Sequence, residues 1–314
     1  MRTADLYSKV TDSIIKQLEA GVIPWTRPWA IEKKAGIAYV PTNVATGRPY
    51  SGINTLLLWA EAMDRGFHSH SWMTFKQASD IGAHVRKGEH GTTVVFTKWT
   101  EKPDEEAGET KKRSLLKTYT VFHVEQLEKL PEAYQAKVEP PPETAVYDEA
   151  LRVSRECGID IQYTGTKAAY YPNRDQVVLP PFSAFESEDE FWGVCFHELA
   201  HATGHKDRLN RKLSTRFGSN AYAFEELIAE LSSAFLCAHV GIPARHRSAS
   251  YVENWLTVLK DDRRAIFQAA SYASQAAGYI LEQSHAVQKD TPEVERQETS
   301  RERSEREMGD SIAF

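Results

Sequence analysis

The residues best suited to chemistry lie in the segment FHELAHATGH, at residues 196–205. His197 and His201 are four positions apart, so on a helix both imidazoles leave the same face about one turn apart and can bind one cation. Glu198 follows the first histidine and can reach a water in an open position on that metal. This HExxH arrangement predicts two zinc ligands and a general base, the residues that metal-assisted peptide hydrolysis requires.

A third protein ligand must fix the metal while one position stays open for water. The segment FEELIAELSSAF, at residues 224–235, places Glu226 and Glu230 four positions apart on one helical face. We predict that Glu226 binds the metal and that Glu230 accepts a hydrogen bond from a ligand histidine. Glu225 points about 100° away on such a helix and is the less favoured member of the pair.

Several features of this site stay open in the sequence. His205 is a second option for the third ligand if the helix ends before it, although on a straight helix it lies about 12 Å from His197. Two imidazoles and a carboxylate favour Zn²⁺, with another divalent ion such as Mn²⁺ as the alternative. The donor that stabilises the transition state is one of Tyr222, His239, His246 and Tyr251.

The helix that carries the two histidines has a predicted start, because Ser187 and Glu190 have capping-box spacing just before it. The strand-like segment QVVLPP precedes them at residues 176–181. We expect it to be an exposed edge strand beside the metal, where it would pair with an extended substrate peptide. Further helices of this half are predicted at 145–157, 222–240 and 249–283.

The first hundred residues have a different character. They contain five of the seven tryptophans and 12 Lys and Arg against 8 Asp and Glu, whereas the remainder has 26 against 36. Aromatic rings stack on unpaired bases and nearby cations follow the phosphates, so this composition suits single-stranded nucleic acid, although it also allows a protein partner. Trp59 and Trp72 lie in apolar contexts and are expected in the core. The candidate nucleic-acid contacts are Trp25, Arg27, Trp29, Arg48, Lys76, Arg86, Lys87 and Lys98.

Periodicity and turn residues organise this front half. Apolar residues recur every four positions from Leu6 to Leu18, which predicts a helix over 4–20. A second helix is predicted between Ser51 and Gly66, and a capping box at Thr74 and Gln77 predicts a short third one. Strands are predicted at 92–99 and 115–124.

The proline-rich run EPPPET marks a domain boundary within residues 128–145. We therefore predict a two-domain α+β fold with an N-terminal domain at 1–127, a mostly helical C-terminal domain at 146–284 and a disordered charged tail at 285–314. No apolar run is long enough for a membrane span, the N-terminus lacks a signal-peptide core, and three scattered cysteines fit a reducing compartment. We expect a cytoplasmic protein.

Four segments of the chain resemble the ArdC-type plasmid antirestriction proteins: PTNVATGRPYSGINTLLLW, WMTFKQASDIGAHVRKGEHGTTVVFTKW, FHELAHATGHKDRLNR and FEELIAELSSAFL. The front half is also similar to the N-terminal part of TraC-type conjugative primases. The resemblance covers about residues 5–283. It implies an N-terminal domain that binds single-stranded DNA, a C-terminal zincin-like metallopeptidase domain, and protection of incoming plasmid DNA from host restriction during conjugation.

The predicted function is therefore an antirestriction protein that binds single-stranded DNA without sequence specificity and carries a zinc metallopeptidase site for a protein substrate. The alternative is a protein that shields single-stranded DNA stoichiometrically and whose metal site is structural. Peptidase activity that disappears when Glu198 is replaced would separate the two hypotheses.

Overall fold

Two domains of mixed helices and strands make up the chain, so the predicted α+β class is confirmed. The structure is a computed structural model that describes residues 3–26, 39–103, 110–134, 143–211, 219–244 and 250–290. Within those ranges, no helix combines the length and the apolar character that a bilayer crossing requires.

The described elements of the N-terminal domain are, in chain order, α1 (Thr3–Glu19), β1 (Thr42–Asn43), β2 (Arg48–Pro49), α2 (Ile53–Arg65), β3 (Ser71–Thr74), α3 (Phe75–Asp80), β4 (His84–Val85), β5 (Thr92–Pro103), β6 (Thr110–His123) and β7 (Leu127–Glu128). Five of these strands form a sheet in the order β2-β1-β3-β6-β5, and β4 pairs with β7. The long hairpin of β5 and β6 extends beyond both predicted strands. The predicted capping box at Thr74 and Gln77 is confirmed, since both of its hydrogen bonds are present at the start of α3.

The described elements of the C-terminal domain are α4 (Glu143–Glu156), β8 (Asp160–Tyr163), β9 (Ala169–Tyr171), β10 (Gln176–Leu179), α5 (Glu188–Ala202), α6 (Asn220–Val240), α7 (Ser250–Asp261) and α8 (Ala265–Asp290). The helix predicted at 249–283 is two helices, because α7 ends at Asp261 and α8 begins at Ala265. Between them, the Asp262 carboxylate accepts the Arg264 N–H at 2.8 Å. Helix α8 continues through Asp290, into the segment predicted as a tail, and residues 291–314 lie outside the described ranges.

The three-stranded sheet corrects one prediction about the site. Strand β10, the predicted edge strand, lies at the centre of the order β8-β10-β9. It pairs in parallel with β8 and antiparallel with β9, so its main-chain groups are engaged on both sides. The edge of this sheet that lies toward the histidine-bearing helix is therefore β9, a strand that the sequence did not single out.

Helix α1 packs against the C-terminal domain. Its predicted apolar stripe, from Leu6 to Leu18, belongs to the same buried cluster as α5, α6, α7 and α8. Polar contacts reinforce this docking: the Thr11 hydroxyl donates to the Arg263 carbonyl at 2.6 Å, and Glu19 pairs with Lys260 at 2.6 Å. The largest core of the molecule is thus shared by both domains.

Trp25 belongs to this shared core and not to a nucleic-acid surface. Its side chain has 0% exposure, and its ring centroid lies 5.5 Å from that of Trp255. The expectation that Trp25 stacks on a base is therefore wrong, because the ring has no face open to solvent. Trp59 and Trp72 are buried as predicted. Trp29 and Arg27 lie outside the described residues.

Replacing Trp25 by alanine should destabilise the whole protein. Truncating a fully buried tryptophan costs about 3–5 kcal/mol, because apolar burial is lost and a cavity remains. The free energy of unfolding, measured by urea denaturation, should fall by this amount. Phe75→Ala is the matched control, since that ring is 61% exposed and its truncation should leave stability nearly unchanged. An unaltered stability of Trp25→Ala would contradict the shared core.

A second prediction concerns the pH dependence of stability. Burial lowers the pKa values of His70 and His123 to about 4. Nε2 of His123 donates to the Ser69 carbonyl at 2.9 Å, and Nδ1 accepts the Glu125 N–H at 3.2 Å, so its lone pair is already engaged and not available for a second proton. Between about pH 6.5 and pH 4 the unfolded chain binds more protons than the folded one, so stability should fall as pH falls through this window.

The measurement is the urea midpoint at several pH values for the wild type and for His123→Gln. The glutamine amide can still donate to the Ser69 carbonyl but does not titrate, so the variant should lose less stability than the wild type between pH 6.5 and pH 4. Identical slopes for the two proteins would mean that His123 is not a source of the dependence.

Candidate metal centre

The site is positioned by the packing of α5 against α6. Helix α5 begins as predicted at Ser187, whose hydroxyl accepts the Glu190 N–H at 3.2 Å, and three acidic residues in its first turn favour the positive end of the helix dipole. Helix α6 begins after Ser219, whose side chain caps the Tyr222 N–H. The two helices meet at small residues, where the Ser233 hydroxyl donates to the Gly193 carbonyl at 2.8 Å. This close approach brings their ionisable side chains together.

His197, His201 and Glu226 converge on one point between the two helices. The two histidine Nε2 atoms are 3.1 Å apart, and each lies 3.4 Å from an oxygen of Glu226. All three donor atoms lie within 4.8 Å of one another. Two imidazole nitrogens and one carboxylate oxygen at this spacing form a donor set suited to a divalent ion.

A carboxylate lies behind each histidine. Glu230 lies 3.5 Å from His197 Nδ1, and its hydrogen bond to this histidine stays a prediction. Glu225 is 3.4 Å from His201 Nδ1, although helical spacing favoured Glu226 and Glu230 over it. Such carboxylates fix the orientation and tautomer of a ligand imidazole.

Arg211 completes this second layer of contacts. Its guanidinium lies 2.8 Å from Glu225, 2.8 Å from the Thr203 hydroxyl and 2.7 Å from the Ala200 carbonyl. The side chain is buried, so it closes the end of α5 and compensates the charge of Glu225 at the same time. Sequence spacing gave no signal for this contact, because Arg211 comes from the loop between the helices.

The charge of the site fits a bound cation. Glu198, Glu225, Glu226 and Glu230 are between 4% and 7% exposed. The four carboxylates and the Arg211 guanidinium together have a formal charge of −3 if both histidines are neutral. Burial alone would raise the pKa of Glu226, yet hydrogen bonds from the two histidines hold this pKa well below its usual range. Buried charge of one sign is costly without a counter-charge, so a divalent ion at this point would stabilise the arrangement.

The same charges act on His201. Burial opposes a charged imidazole, but the neighbouring Glu225 and Glu226 carboxylates raise the pKa of His201 to about 10. In the metal-free protein a protonated imidazole therefore supplies part of the missing positive charge. A metal ion would take the place of that proton, because a ligand histidine must be neutral.

Glu198, the predicted general base, faces the same cavity. One of its oxygens accepts the backbone N–H of Tyr170 at 2.9 Å, so strand β9 lies directly beside the carboxylate. Tyr170 is held at its other end as well, since its hydroxyl donates to Asp175 at 2.8 Å. A main-chain donor carries no side-chain signal, and the sequence therefore could not reveal this contact.

The cavity has a volume of about 260 Å³ and is bounded by β9, α5, α6 and α7. Tyr222 and Tyr251, two of the four predicted transition-state donors, line it together with Trp255. Burial, together with hydrogen bonding to Tyr251, raises the pKa of Tyr222, so its hydroxyl stays protonated and can donate. His239 lies in the last turn of α6, away from the cavity lining, and His246 lies outside the described residues.

His205, the second option for the third ligand, turns away from the metal centre. Its Nδ1 atom is 3.9 Å from Asp175 and 3.5 Å from Asp207. The residue follows the end of α5, so the helical spacing that relates the first two histidines does not extend to it. The geometry favours Glu226 over His205.

The predicted DNA contacts occupy separate elements of the N-terminal domain. Arg48 is exposed on β2, whereas Arg86 and Lys87 are exposed in the turn after β4. Lys76 is exposed on α3 and pairs with Asp80 at 3.1 Å. Lys98 lies on β5, but its side chain is outside the described part of the structure.

The converging side chains should determine metal content. His197→Ala, His201→Ala and Glu226→Ala should each lose the bound ion, because each removes one of three donor atoms. Glu225→Gln and Glu230→Gln should keep the ion but weaken its binding by about 10- to 100-fold, the usual effect of losing a carboxylate behind a ligand histidine. Metal analysis of the purified proteins and competition with a chelator would measure both effects.

His205→Ala is the matched control, because it also removes an imidazole from the same segment and should keep full metal content. Full occupancy in Glu226→Ala together with loss in Glu230→Ala or His205→Ala would show that the third ligand is misassigned.

Family models match both halves of the chain. The model for the N-terminal domain of anti-restriction factor ArdC matches residues 4–122, and a zincin-like metallopeptidase model matches residues 125–272. The protein y4eC of Sinorhizobium fredii (strain NBRC 101917 / NGR234) is 40% identical over 301 residues, which cover 91% of this chain and 93% of the relative. Two DNA primases TraC of Escherichia coli are 36% and 35% identical over 87% and 88% of this chain. The matched regions are only 19% and 27% of those primases.

Solved structures give the same relationship. The metal-free crystal structure of the antirestriction ArdC protein from plasmid R388 has a TM-score of 0.73 and 40% identity, covering 90% of this chain and 98% of that one. The Mn(II)-bound structure of the same protein has a TM-score of 0.73 and 37% identity, covering 89% and 98%. Since this level of identity extends over nearly the whole of y4eC and of the R388 ArdC protein, and both domains match in order, the chain belongs to the ArdC family of antirestriction proteins.

Proposed function

We propose that the protein binds incoming single-stranded plasmid DNA during conjugation and cleaves a protein substrate at a zinc site in its C-terminal domain. One observation carries the catalytic half of this proposal. His197, His201 and Glu226 converge on one point, and Glu198 faces the same cavity. A purely structural metal site does not need a further carboxylate, that of Glu198, in the cavity beside the three converging donors.

Zinc is the proposed ion because its preferred donors include imidazole nitrogen and carboxylate oxygen, with three protein ligands in catalytic sites. Manganese is the alternative, and Mn(II) is bound in a structure of the R388 ArdC protein. When bound, either ion would polarise a water molecule and the substrate carbonyl. The residues that would hold it are His197, His201 and Glu226.

Glu198 would move the proton. Its carboxylate would accept a proton from the attacking water as the new C–O bond forms, and would return it to the amide nitrogen as the C–N bond breaks. The Tyr170 N–H fixes one carboxylate oxygen, which leaves the group with a defined orientation for this transfer. Tyr222 and Tyr251 line the cavity, and their hydroxyls would donate to the developing negative charge on the carbonyl oxygen.

Strand β9 is the surface that would hold an extended substrate. It is an edge strand, and Tyr170 on β9 pairs with Val177 on the central strand β10. The Tyr170 N–H points away from that partner toward Glu198, so the outer edge of β9 faces the cavity. A peptide that added a further strand here would bring its main chain beside the metal ligands.

The DNA half of the proposal is supported by the family of the N-terminal domain and by the matched regions of the TraC primases. Protection from restriction would then combine two actions, binding of the entering strand and proteolysis of a protein that acts on it.

Replacing Glu198 by glutamine tests the catalytic proposal. The amide has nearly the same size but cannot accept the proton, so cleavage should fall by about 100-fold or more. The substrate would be a proteome-derived peptide library, with the zinc-loaded protein added and new termini read by mass spectrometry. Metal content and affinity for single-stranded DNA should be unchanged in this variant, because Glu198 is not a proposed ligand and lies buried in the metal cavity.

The same experiment distinguishes the peptidase from the rival hypothesis of a DNA-shielding protein with a structural metal site. If the zinc-loaded or manganese-loaded wild type cleaves no peptide while it still binds single-stranded DNA, the protein is a shield with a structural metal site. Equal cleavage by the wild type and Glu198→Gln would indicate a contaminating peptidase and would remove the support for this site.

A further inference from the structure

A second cavity, of about 1020 Å³, lies between the five-stranded sheet and helices α1 and α8. Its volume is at the upper end of the range for small-molecule sites, about 300–1,000 Å³, so it suits a longer ligand. Two exposed aromatic side chains lie on its sheet wall: Phe96 is 45% exposed and Tyr119 is 48% exposed. Their ring centroids are 5.2 Å apart in an edge-to-face arrangement.

The described side chains of this groove carry charge of one sign. They include the cations Arg48 and Lys117 and no Asp or Glu, although the whole chain has a net charge of −6. Lys117 lies directly opposite Phe96 in the register of β5 and β6. Within the described ranges, neither cation has an ion-pair partner. Both are exposed and can therefore meet an anionic ligand.

The opposite wall comes from the C-terminal domain. Helix α8 contributes Phe267, Ser271, Ser274 and Gln275 to the groove. The two walls are joined where the Gly52 N–H donates to the Ser274 hydroxyl at 2.7 Å, and Phe267 lies edge-on to Tyr7 of α1 at 4.6 Å. The groove is complete only when both domains are present.

We propose that this groove is the path of single-stranded DNA, with the C-terminal domain supplying one of its two walls. The proposal rests on the proposed DNA-binding function and assigns it a location. Phe96 and Tyr119 would stack on unpaired bases, Lys117 and Arg48 would contact phosphates, and the hydroxyl and amide groups of α8 would contact the backbone. An extended peptide is a poorer fit, because its main chain is uncharged and gains little from two cations that have no neighbouring carboxylate among the described lining residues. Duplex DNA is also a poorer fit, because it presents no unstacked base face to the rings.

Two consequences distinguish this site from the contacts suggested by the sequence. Of those candidates, Arg48 lines the groove and the described side chain of Lys76 does not. The isolated N-terminal domain would lack the α8 wall and would also expose the apolar face of α1. Binding must therefore be measured with the full chain.

The test is fluorescence anisotropy of a labelled oligothymidine of about 20 nucleotides, a length that covers the usual site size of a single-strand binder. Phe96→Ala and Tyr119→Ala should each weaken binding by about 5- to 150-fold, the range expected for losing one base–aromatic stack. Lys117→Ala should reduce the slope of log Kd against log salt by about 1, because one phosphate contact is lost.

Matched controls lie outside the groove. Phe75→Ala removes an aromatic ring that is 61% exposed, and Lys206→Ala removes an exposed lysine of the C-terminal domain, so both should bind like the wild type. For the α8 wall, Gln275→Glu should weaken binding by charge repulsion. Gln283→Glu, on an exposed part of the same helix away from the groove, should not. Circular dichroism and urea midpoints would establish that each variant is folded.

The outcomes separate the site from the function. If the wild type binds the oligonucleotide and the groove variants bind equally well, the groove is not the site but single-strand binding stands. Failure of the wild type to bind would overturn both the site and the proposed DNA-binding function. Tighter binding of duplex DNA, or losses in Phe75→Ala and Lys206→Ala as large as in the groove variants, would also overturn the groove.

Discussion

The burial of four carboxylates against two histidines between α5 and α6 is the constraint on which the C-terminal domain depends. Each buried charge needs a partner, and the partners come from distant parts of the chain. Arg211 reaches back from the loop after α5 to Glu225, and β9 presents the Tyr170 N–H to Glu198. A divalent ion would supply the positive charge that these side chains lack. The small residues at the contact of α5 with α6 allow the approach that makes this arrangement possible.

The N-terminal domain supports this site from outside. Trp25 packs on Trp255, and Trp255 lines the cavity that contains the metal ligands. Helix α1 is docked on α7 and α8 through the shared core and through ion pairs. A change that loosened α1 would therefore reach the metal centre through two layers of packed side chains, so the two domains are expected to unfold together.

Helix α8 connects the two proposed activities. One part of it forms a wall of the aromatic and basic groove, and the helix also packs against α6, which carries Glu226. DNA that filled the groove would contact both domains and stabilise their association, because a ligand that binds only the docked state favours that state. This arrangement would keep the peptidase cavity at a fixed distance from a bound strand.

The sequence by itself determined what depends on local spacing. Residues a few positions apart predicted the HExxH helix with its Ser187 cap, the paired glutamates of α6 and the capping box of α3. Local patterns along the chain also predicted the α+β class. Only the tertiary structure decided contacts between distant segments. In the folded chain Trp25 is buried, β9 and not β10 lies at the sheet edge, and Glu225 lies beside His201. Composition could not distinguish an exposed tryptophan from a buried one, because burial depends on which remote helix packs against it.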